Sequence, residues 1–299
     1  VTPVASACNP APLKARSVQI AATLLVAACA RPPAWPAPAL GAMRFPVDSA
    51  RIAVVAPGVT HRFIRSSAGP WSVHVLYVDL DRCTTVKAVA SSDSTTVRMK
   101  TTEMLATLAQ PRNVLGGVNA DFFNLRTGAP TNLLVIDGRM RTPPIAQPVL
   151  AVDSAGSAHI GFFTLIDSTL VPFHPLQAVG GRPVLARDSA IAAEVDTFGS
   201  AGFRGPNPRT AAGISRGGTR LILAVIDGRT SHDAGMTLRQ TADLMLALGA
   251  RDAINLDGGG STTMVVADSS GELRVVNHPS DKEGERAVGD ALAVVRRCR

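Results

Sequence analysis

Apolar residues recur along this chain mostly at every second position or in short unbroken runs, the two patterns expected of β-strands. Residues 52–55 and 84–90 are rich in Val, Ile and Thr, and residues 71–79 alternate along their length. His74 alternates with apolar neighbours there and is expected to face outward. Further strand-like runs fall at 114–118 and 133–136, near 149, 160 and 171, and at 182–185, 221–226, 252–256, 262–267 and 291–295. Asp137-Gly138 is a hairpin signal between two of them. Helical spacing occurs twice. Residues 101–108 place Met104, Leu105 and Leu108 on one face, with Thr101 or Thr102 as cap. Leu238, Ala242, Met245 and Leu248 mark a second helix, opened by a Thr237/Gln240 capping box and stopped by Gly249. The pattern predicts an α+β fold with mixed, strand-rich sheets, few helices and a site at converging strand ends. Hairpin signals outnumber helical crossovers, so a mixed sheet is expected over an all-parallel one. Asp227 and Asp257 each end a strand, one before and one after the stronger helix. That order predicts that they share one sheet edge.

With 299 residues, 46% of them hydrophobic, the chain can bury a sizeable core. Its net charge of +7 comes largely from scattered arginines, with no run of five or six like charges, and only 4% of residues are aromatic. Neither a basic nucleic-acid tail nor a set of base-stacking platforms is present, so no nucleic-acid partner is expected. Scattered basic charge suits an anionic envelope polymer better.

The first 43 residues read differently. Lys14 and Arg16 precede an apolar stretch at 18–28 that is too short to span a bilayer, and Cys29 follows it. This predicts an export signal over 1–29. The Val-Ala-Ala-Cys ending resembles a bacterial lipobox, which would make Cys29 a lipidated membrane attachment, while Ala28-Cys29-Ala30 also fits ordinary cleavage and free secretion. Residues 30–43 form a Pro-rich tether, and 44–299 the expected domain. Cys83 and Cys298 then remain. Export permits a disulfide between them, and two separate buried thiols is the alternative.

The run Asn-Leu-Asp-Gly-Gly-Gly-Ser at 255–261 holds the most chemistry in the fewest residues. Gly258, Gly259 and Gly260 could leave backbone N–H groups bare as an anion nest, with Asp257 at its lip and Ser261 at its exit. A tight turn with solvated side chains is the plainer account. No lysine follows the glycines as in a P-loop, and the spacing fits neither a dinucleotide fingerprint nor a nucleophile elbow. A serine hydrolase using Ser261 with His232 or His278 is left to geometry. No cofactor motif is identified, the cysteine spacing matches no zinc site, and a divalent metal stays open.

Asn119-Ala-Asp-Phe-Phe-Asn, Asn207-Pro-Arg-Thr, Ile226-Asp-Gly-Arg, Gly235-Met-Thr-Leu, the 255–261 run and Glu285-Arg-Ala-Val-Gly-Asp occur in that order. Together they resemble the phosphodiester glycosidase family over about 113–295. The resemblance implies a hydrolase that cuts the glycosidic C–O bond of a sugar-1-phosphodiester, N-acetylglucosamine-like, in a glycan or glycoconjugate. Asp257, Asp227 and Arg209 are the implied catalytic residues. Asn119, Asp121, Asn255, Gly258, Gly259, Gly260, Ser261 and Arg286 are the implied substrate contacts. Phosphate is already a good leaving group, so arginine forks and amides at the phosphate, with aspartates at the sugar, suit the chemistry. Asp121 stands where the family's mammalian member has glycine, and Asp290 where many relatives carry a polar amide. The competing class is a non-catalytic envelope protein that binds phosphorylated glycan.

Overall fold

The computed structural model of the protein describes residues 47–92, 97–108 and 113–298. The expected signal (1–29), tether (30–43) and lipidation site Cys29 lie outside those residues. The domain is α+β and strand-rich, with 46% strand against 11% helix. Three sheets carry the fold. The first orders its eight strands as Ser49–Ala56, Val59–Ser66, Trp71–Asp79, Arg220–Ile226, Arg209–Ile214, Asp252–Asn255, Val184–Arg187 and Ala190–Ile191. The second runs Leu273–Val275, Met264–Ala267, Val114–Asn119, Asp290–Arg296 and Thr84–Ala90. The third runs Ala158–Phe162, Pro148–Val152, Gln177–Gly180, Leu134–Ile136 and Arg139–Thr142.

Neighbouring strands in these three sheets are antiparallel. One crossover shows why a strand–helix–strand pattern did not yield a parallel pair. Arg220–Ile226 leads through helix Leu238–Ala247 to Asp252–Asn255, but Arg209–Ile214 lies between the two strands and pairs antiparallel with both. Asp227 and Asp257 do leave the sheet at the same edge, two strands apart.

Leu76 and Leu223 of the first sheet, Val118 and Leu292 of the second, and Leu150 and Val179 of the third meet in one core. Each such side chain contributes on the order of 2 kcal/mol by leaving water. Local signals are met where the backbone alone decides. Asp137 and Gly138 take φ of 49° and 75°, the left-handed pair that a two-residue hairpin of matching twist requires. The Thr237/Gln240 capping box forms in both directions.

Two expectations are corrected. Helix Thr101–Ala106 is shorter than the predicted 101–108, and its N-cap is Lys100. Its first turn is held instead by Glu285, whose carboxylate accepts from the Thr102 N–H at 2.8 Å and the Thr102 hydroxyl at 2.7 Å. His74 is not outward but buried, 7% exposed. Strand Trp71–Asp79 lies inside the sheet and is buried from Trp71 to Val78, so its alternation did not separate inside from outside.

Cys83 and Cys298 form a disulfide across a sequence separation of 215. They flank the paired strands Thr84–Ala90 and Asp290–Arg296, whose ladder ends at Thr84 and Arg296. Closing so long a loop removes about 5 kcal/mol of unfolded-state entropy in the chain-entropy account, an upper figure for the native bond. The double variant Cys83→Ser/Cys298→Ser is therefore expected to unfold at lower denaturant, with a stability loss of about 2–5 kcal/mol. Equal midpoints with and without reductant would show the bond to be energetically idle.

Candidate functional site

The run 255–261 is where the chain passes from the first sheet to the second. Leu256 N–H still donates to Thr210 O in the first sheet at 2.9 Å, and Asp257 N–H already donates to Ala120 O at the end of Val114–Asn119, also at 2.9 Å. A short 3-10 turn, Gly259–Ser261, then leads into Met264–Ala267. Asn119 fastens this passage. Its Nδ2 donates to Asp257 O at 2.6 Å, and its Oδ1 accepts from Thr210 Oγ1 at 2.8 Å and Thr263 N–H at 3.0 Å. Asn119 is 1% exposed and does not line the cleft described next. Its side chain, expected to contact substrate, has its polar groups joining three segments of the chain.

A cleft of about 620 Å³ opens beside the run, lined by Asp257, Gly258, Gly259, Gly260, Asn255 and the four arginines Arg182, Arg209, Arg229 and Arg286, with Phe122 and Phe203. Two of the three glycine amides are already engaged, so the run is not the fully bare nest expected from the sequence. Gly258 N–H donates to Asp257 Oδ1 at 3.0 Å, Gly259 N–H to Pro208 O at 2.9 Å, and Ser261 and Thr262 N–H to Gly258 and Gly259 carbonyls. The absence of Cβ atoms matters instead. A Cβ at Gly258 would lie 2.7 Å from Pro208 O, one at Gly259 would lie 3.0 Å from Arg229 Nη1, and one at Gly260 would collide with the Arg286–Asp281 pair. Gly259 also has φ of 64°. The run is a floor flat enough for two guanidinium groups to lie against it.

The arginines differ in how much they can still give. Arg209 opens its strand, is 3% exposed, and donates through Nε to Met236 O and through Nη2 to Phe203 and Gly205 carbonyls at 2.7–2.9 Å. Burial, with Arg229 nearby, lowers its pKa to about 10, so it stays charged at neutral pH. Arg286 is clamped by both Asp281 oxygens at 2.7 and 2.8 Å. Neither is the open fork that the sequence suggested. Arg229, at a φ of 59°, donates to Asn207 Oδ1. Arg182 sits 4.5 Å over the Phe122 ring. Asn255 positions its backbone: Asn255 Nδ2 donates to Arg182 O at 2.7 Å while Arg182 N–H donates to Asn255 O. Sequence reasoning missed Arg182 and Arg229. Both were visible as arginines adjoining glycines, in Gly180-Gly-Arg and Asp227-Gly-Arg.

Asp257 is the carboxylate on this cleft. Burial pushes its pKa up to about 6, opposed by the Ser261 hydroxyl, the Gly258 N–H, Arg286 and Arg182. Behind it lie Asp121 and Asp290, 2% and 0% exposed. Asp290 Oδ1 accepts from Asp121 N–H, and Asp121 Oδ2 accepts from Asn132 N–H, both at 2.8 Å. Burial pushes Asp121 up to about 7 despite the Asn132 and Phe122 N–H groups and Arg182, with Asp257 adding to the rise. Asp290 is raised well above the carboxylate range by burial and by the charges of Asp121 and Asp257. Asp121, expected as a substrate contact, is thus a buried neighbour of the cleft rather than part of its lining.

Asp227, expected beside Asp257 and Arg209, stands apart from them. It lines a separate cleft of about 920 Å³ with His61, His74, His232 and His278. Ile226 pairs with Arg209, so the next residue points to the opposite face of the sheet. Asn277 Nδ2 and His278 N–H hold Asp227 Oδ1 at 3.0 Å each, and burial raises it to about 6. His232 and His278 line that cleft too, and the buried Ser261 Oγ forms no hydrogen bond to either, so no serine triad is assembled. Among the described residues no group of three or more His, Cys, Asp or Glu is arranged to hold a metal ion.

A strand-rich α+β domain with an arginine-walled cleft around one protonatable aspartate is a fold and site suited to a small anion. The family model described as phosphodiester glycosidase matches residues 112–295, and the chain belongs to that family. It is 30% identical over 177 residues to mouse N-acetylglucosamine-1-phosphodiester alpha-N-acetylglucosaminidase, covering 54% of this chain and 33% of that protein. The chain thus spans about a third of that relative's length. Among solved structures, a hypothetical protein from Synechocystis superposes with a TM-score of 0.67 at 16% identity, over 84% of this chain and 64% of that one. The zebrafish N-acetylglucosamine-1-phosphodiester alpha-N-acetylglucosaminidase catalytic domain, auto-inhibited by its pro-peptide, gives 0.62 at 23% identity, over 83% and 88%. These two show the fold.

The buried acids make stability depend on pH with a definite sign. A carboxyl whose pKa is raised on folding binds its proton more tightly when folded, so stability falls as pH climbs from about 4, the unfolded value, through the raised folded value. For Asp121 that window closes near pH 7; for Asp290 it extends higher. Asp290→Asn keeps an acceptor for Asp121 N–H without the ionisable proton. It is expected to flatten the fall in melting temperature between pH 5 and 8, and a slope matching the parent's would show that Asp290 is not held neutral.

Proposed function

We propose that the protein is an exported phosphodiester glycosidase that hydrolyses the glycosidic bond of a sugar-1-phosphodiester. The observation that carries this reading is the single cleft in which four guanidinium groups surround Asp257. In this mechanism the phosphodiester sits against Arg182 and Arg229, with Arg209 and Arg286 fixing the walls and adding field. The sugar C1–O bond breaks and its electron pair passes to the phosphate oxygen, which leaves as an anion and needs no proton. Water adds to C1, and Asp257 takes its proton. One carboxylate therefore suffices where an ordinary glycosidase needs two, because the leaving group carries its own stabilisation. The Gly258 N–H orients the Asp257 carboxylate. Asp227, across the sheet, has no part in bond breaking here.

Export is supported by the Cys83–Cys298 disulfide, a bond typical of oxidising compartments. Attachment through lipidated Cys29 is our proposal from the sequence. Phosphorylated glycan or glycoconjugate is the partner this site would meet, with N-acetylglucosamine the first sugar to try, as in the name of the mouse relative.

With UDP-N-acetylglucosamine as probe, release of reducing sugar is expected. Asp257→Asn should lower kcat by about 10²–10⁴-fold while the probe still binds, as removal of a general base does. An unchanged kcat would leave phosphoglycan binding without catalysis as the better account. Because Asp257 acts as its ionised form and its pKa is near 6, kcat/KM should rise with pH through about 6. A profile flat from pH 5 to 7 would remove Asp257 from the role of base.

A further inference from the structure

The second cleft is built by strand register. Arg51 pairs with Phe63, Phe63 with His74, and His74 with Val225, so these four side chains form one row across four strands on one face. Asp227 follows two residues after Val225 and lies on that same face, its N–H donating to Ser72 O at 3.0 Å. Arg51 lies 5.1 Å from the Phe63 ring centroid, and the His74 ring 4.9 Å from it. His61 stacks on His74 with a nitrogen–nitrogen approach of 3.2 Å. The loop residues 230–233 and the segment 276–278 form the walls of a space of about 920 Å³.

The chemistry of this space contrasts with that of the arginine cleft. Arg65 and Asp233 satisfy one another at 2.6 Å, leaving Arg51 and Asp227 as opposite charges facing the same volume. Burial lowers the pKa of both His61 and His74, the latter to about 3, so both imidazoles are neutral at physiological pH; their mutual contact uses one nitrogen of each and leaves His61 Nδ1 and His74 Nε2 outside it. Asp227 lines the space with one oxygen held by Asn277 and His278, and among the described residues no hydrogen bond is formed by the other. A phosphate would meet Asp227, and an ammonium group would meet Arg51. A vicinal diol offers both donors and acceptors and carries no charge.

We infer that this second cleft is a carbohydrate-binding site for a neutral pyranose, in which the Arg51 fork donates to sugar oxygens, Asp227 accepts from a sugar hydroxyl, and the imidazole and Phe63 row supports the ring. The site is independent of the proposed hydrolysis, since it shares no lining residue with the arginine cleft.

Saturation-transfer NMR on the full chain, with N-acetylglucosamine, methyl mannoside and cellobiose as probes, tests it. Saturating inorganic phosphate is added to occupy the other cleft. At least one probe is expected to bind with phosphate present. Its affinity should fall about tenfold or more in Arg51→Ala and in Asp227→Asn, the order expected for a hydrogen bond to a charged group. It should be unchanged in Arg182→Ala. Arg51 is exposed on an edge strand, so its variant keeps the fold even if Asp227→Asn does not. No binding by any probe, binding abolished by phosphate, or binding lost in Arg182→Ala but kept in Arg51→Ala would each overturn the assignment. Hydrolysis of UDP-N-acetylglucosamine, measured on the same samples, reports separately on the arginine cleft.

Discussion

One side chain amide joins the two sheets that make this site. Asn119 reaches Asp257 O, Thr210 Oγ1 and Thr263 N–H, which belong to the passage between sheets, the first sheet and the lead-in to the second. Each group is buried, so a lost bond would leave an unsatisfied polar atom, costing about 1–3 kcal/mol apiece. An aspartate in its place could accept but not donate to Asp257 O, and an apolar residue could do neither. The position of the Asp257 carboxylate is therefore set from behind, by its own backbone, rather than by contacts a ligand would have to displace.

That rigidity is what allows so much positive charge in front. Four guanidinium groups in one cleft repel one another, and the structure offsets this in distinct ways. Arg209 is held by three carbonyl oxygens, Arg286 by the Asp281 carboxylate, Arg182 lies over an aromatic ring and Arg229 is tied to Asn207. The glycines let two of these groups approach the backbone closely. Burial raises the pKa of Asp257 and the arginines lower it, and the balance leaves a carboxyl that changes charge near neutrality. A bound anion would draw on the donors of Arg182 and Arg229 without dismantling the supports of the other two.

Much of the fold was legible because short-range rules governed it. The hairpin at 137–138 follows from two residues that tolerate positive φ, the helix at 238–247 from a reciprocal cap, and the 255–261 run announced itself by composition. The errors share a different cause. His74 and Asp227 were misread because facing is decided by what covers a sheet, which requires knowing its neighbours. The glycines were read as donors when their value lay in what could approach them. Arg182 was passed over because its partner, Asn255, is 73 residues away in sequence. Glu285 caps a helix 183 residues upstream, beyond any local capping rule.

The division into two clefts follows from the same parity that defeated the sequence reading. Arg209 and Ile226 are a cross-strand pair and share a face, so Asp227 belongs to the other. A single extra residue between Ile226 and Asp227 would carry the carboxylate to the arginine face and place two acids among the guanidinium groups. As built, the strand end separates an anion-attracting cleft from a nearly neutral one across the thickness of one sheet. A ligand selected by charge and a ligand selected by hydroxyl pattern can then occupy the same domain without competing for a side chain.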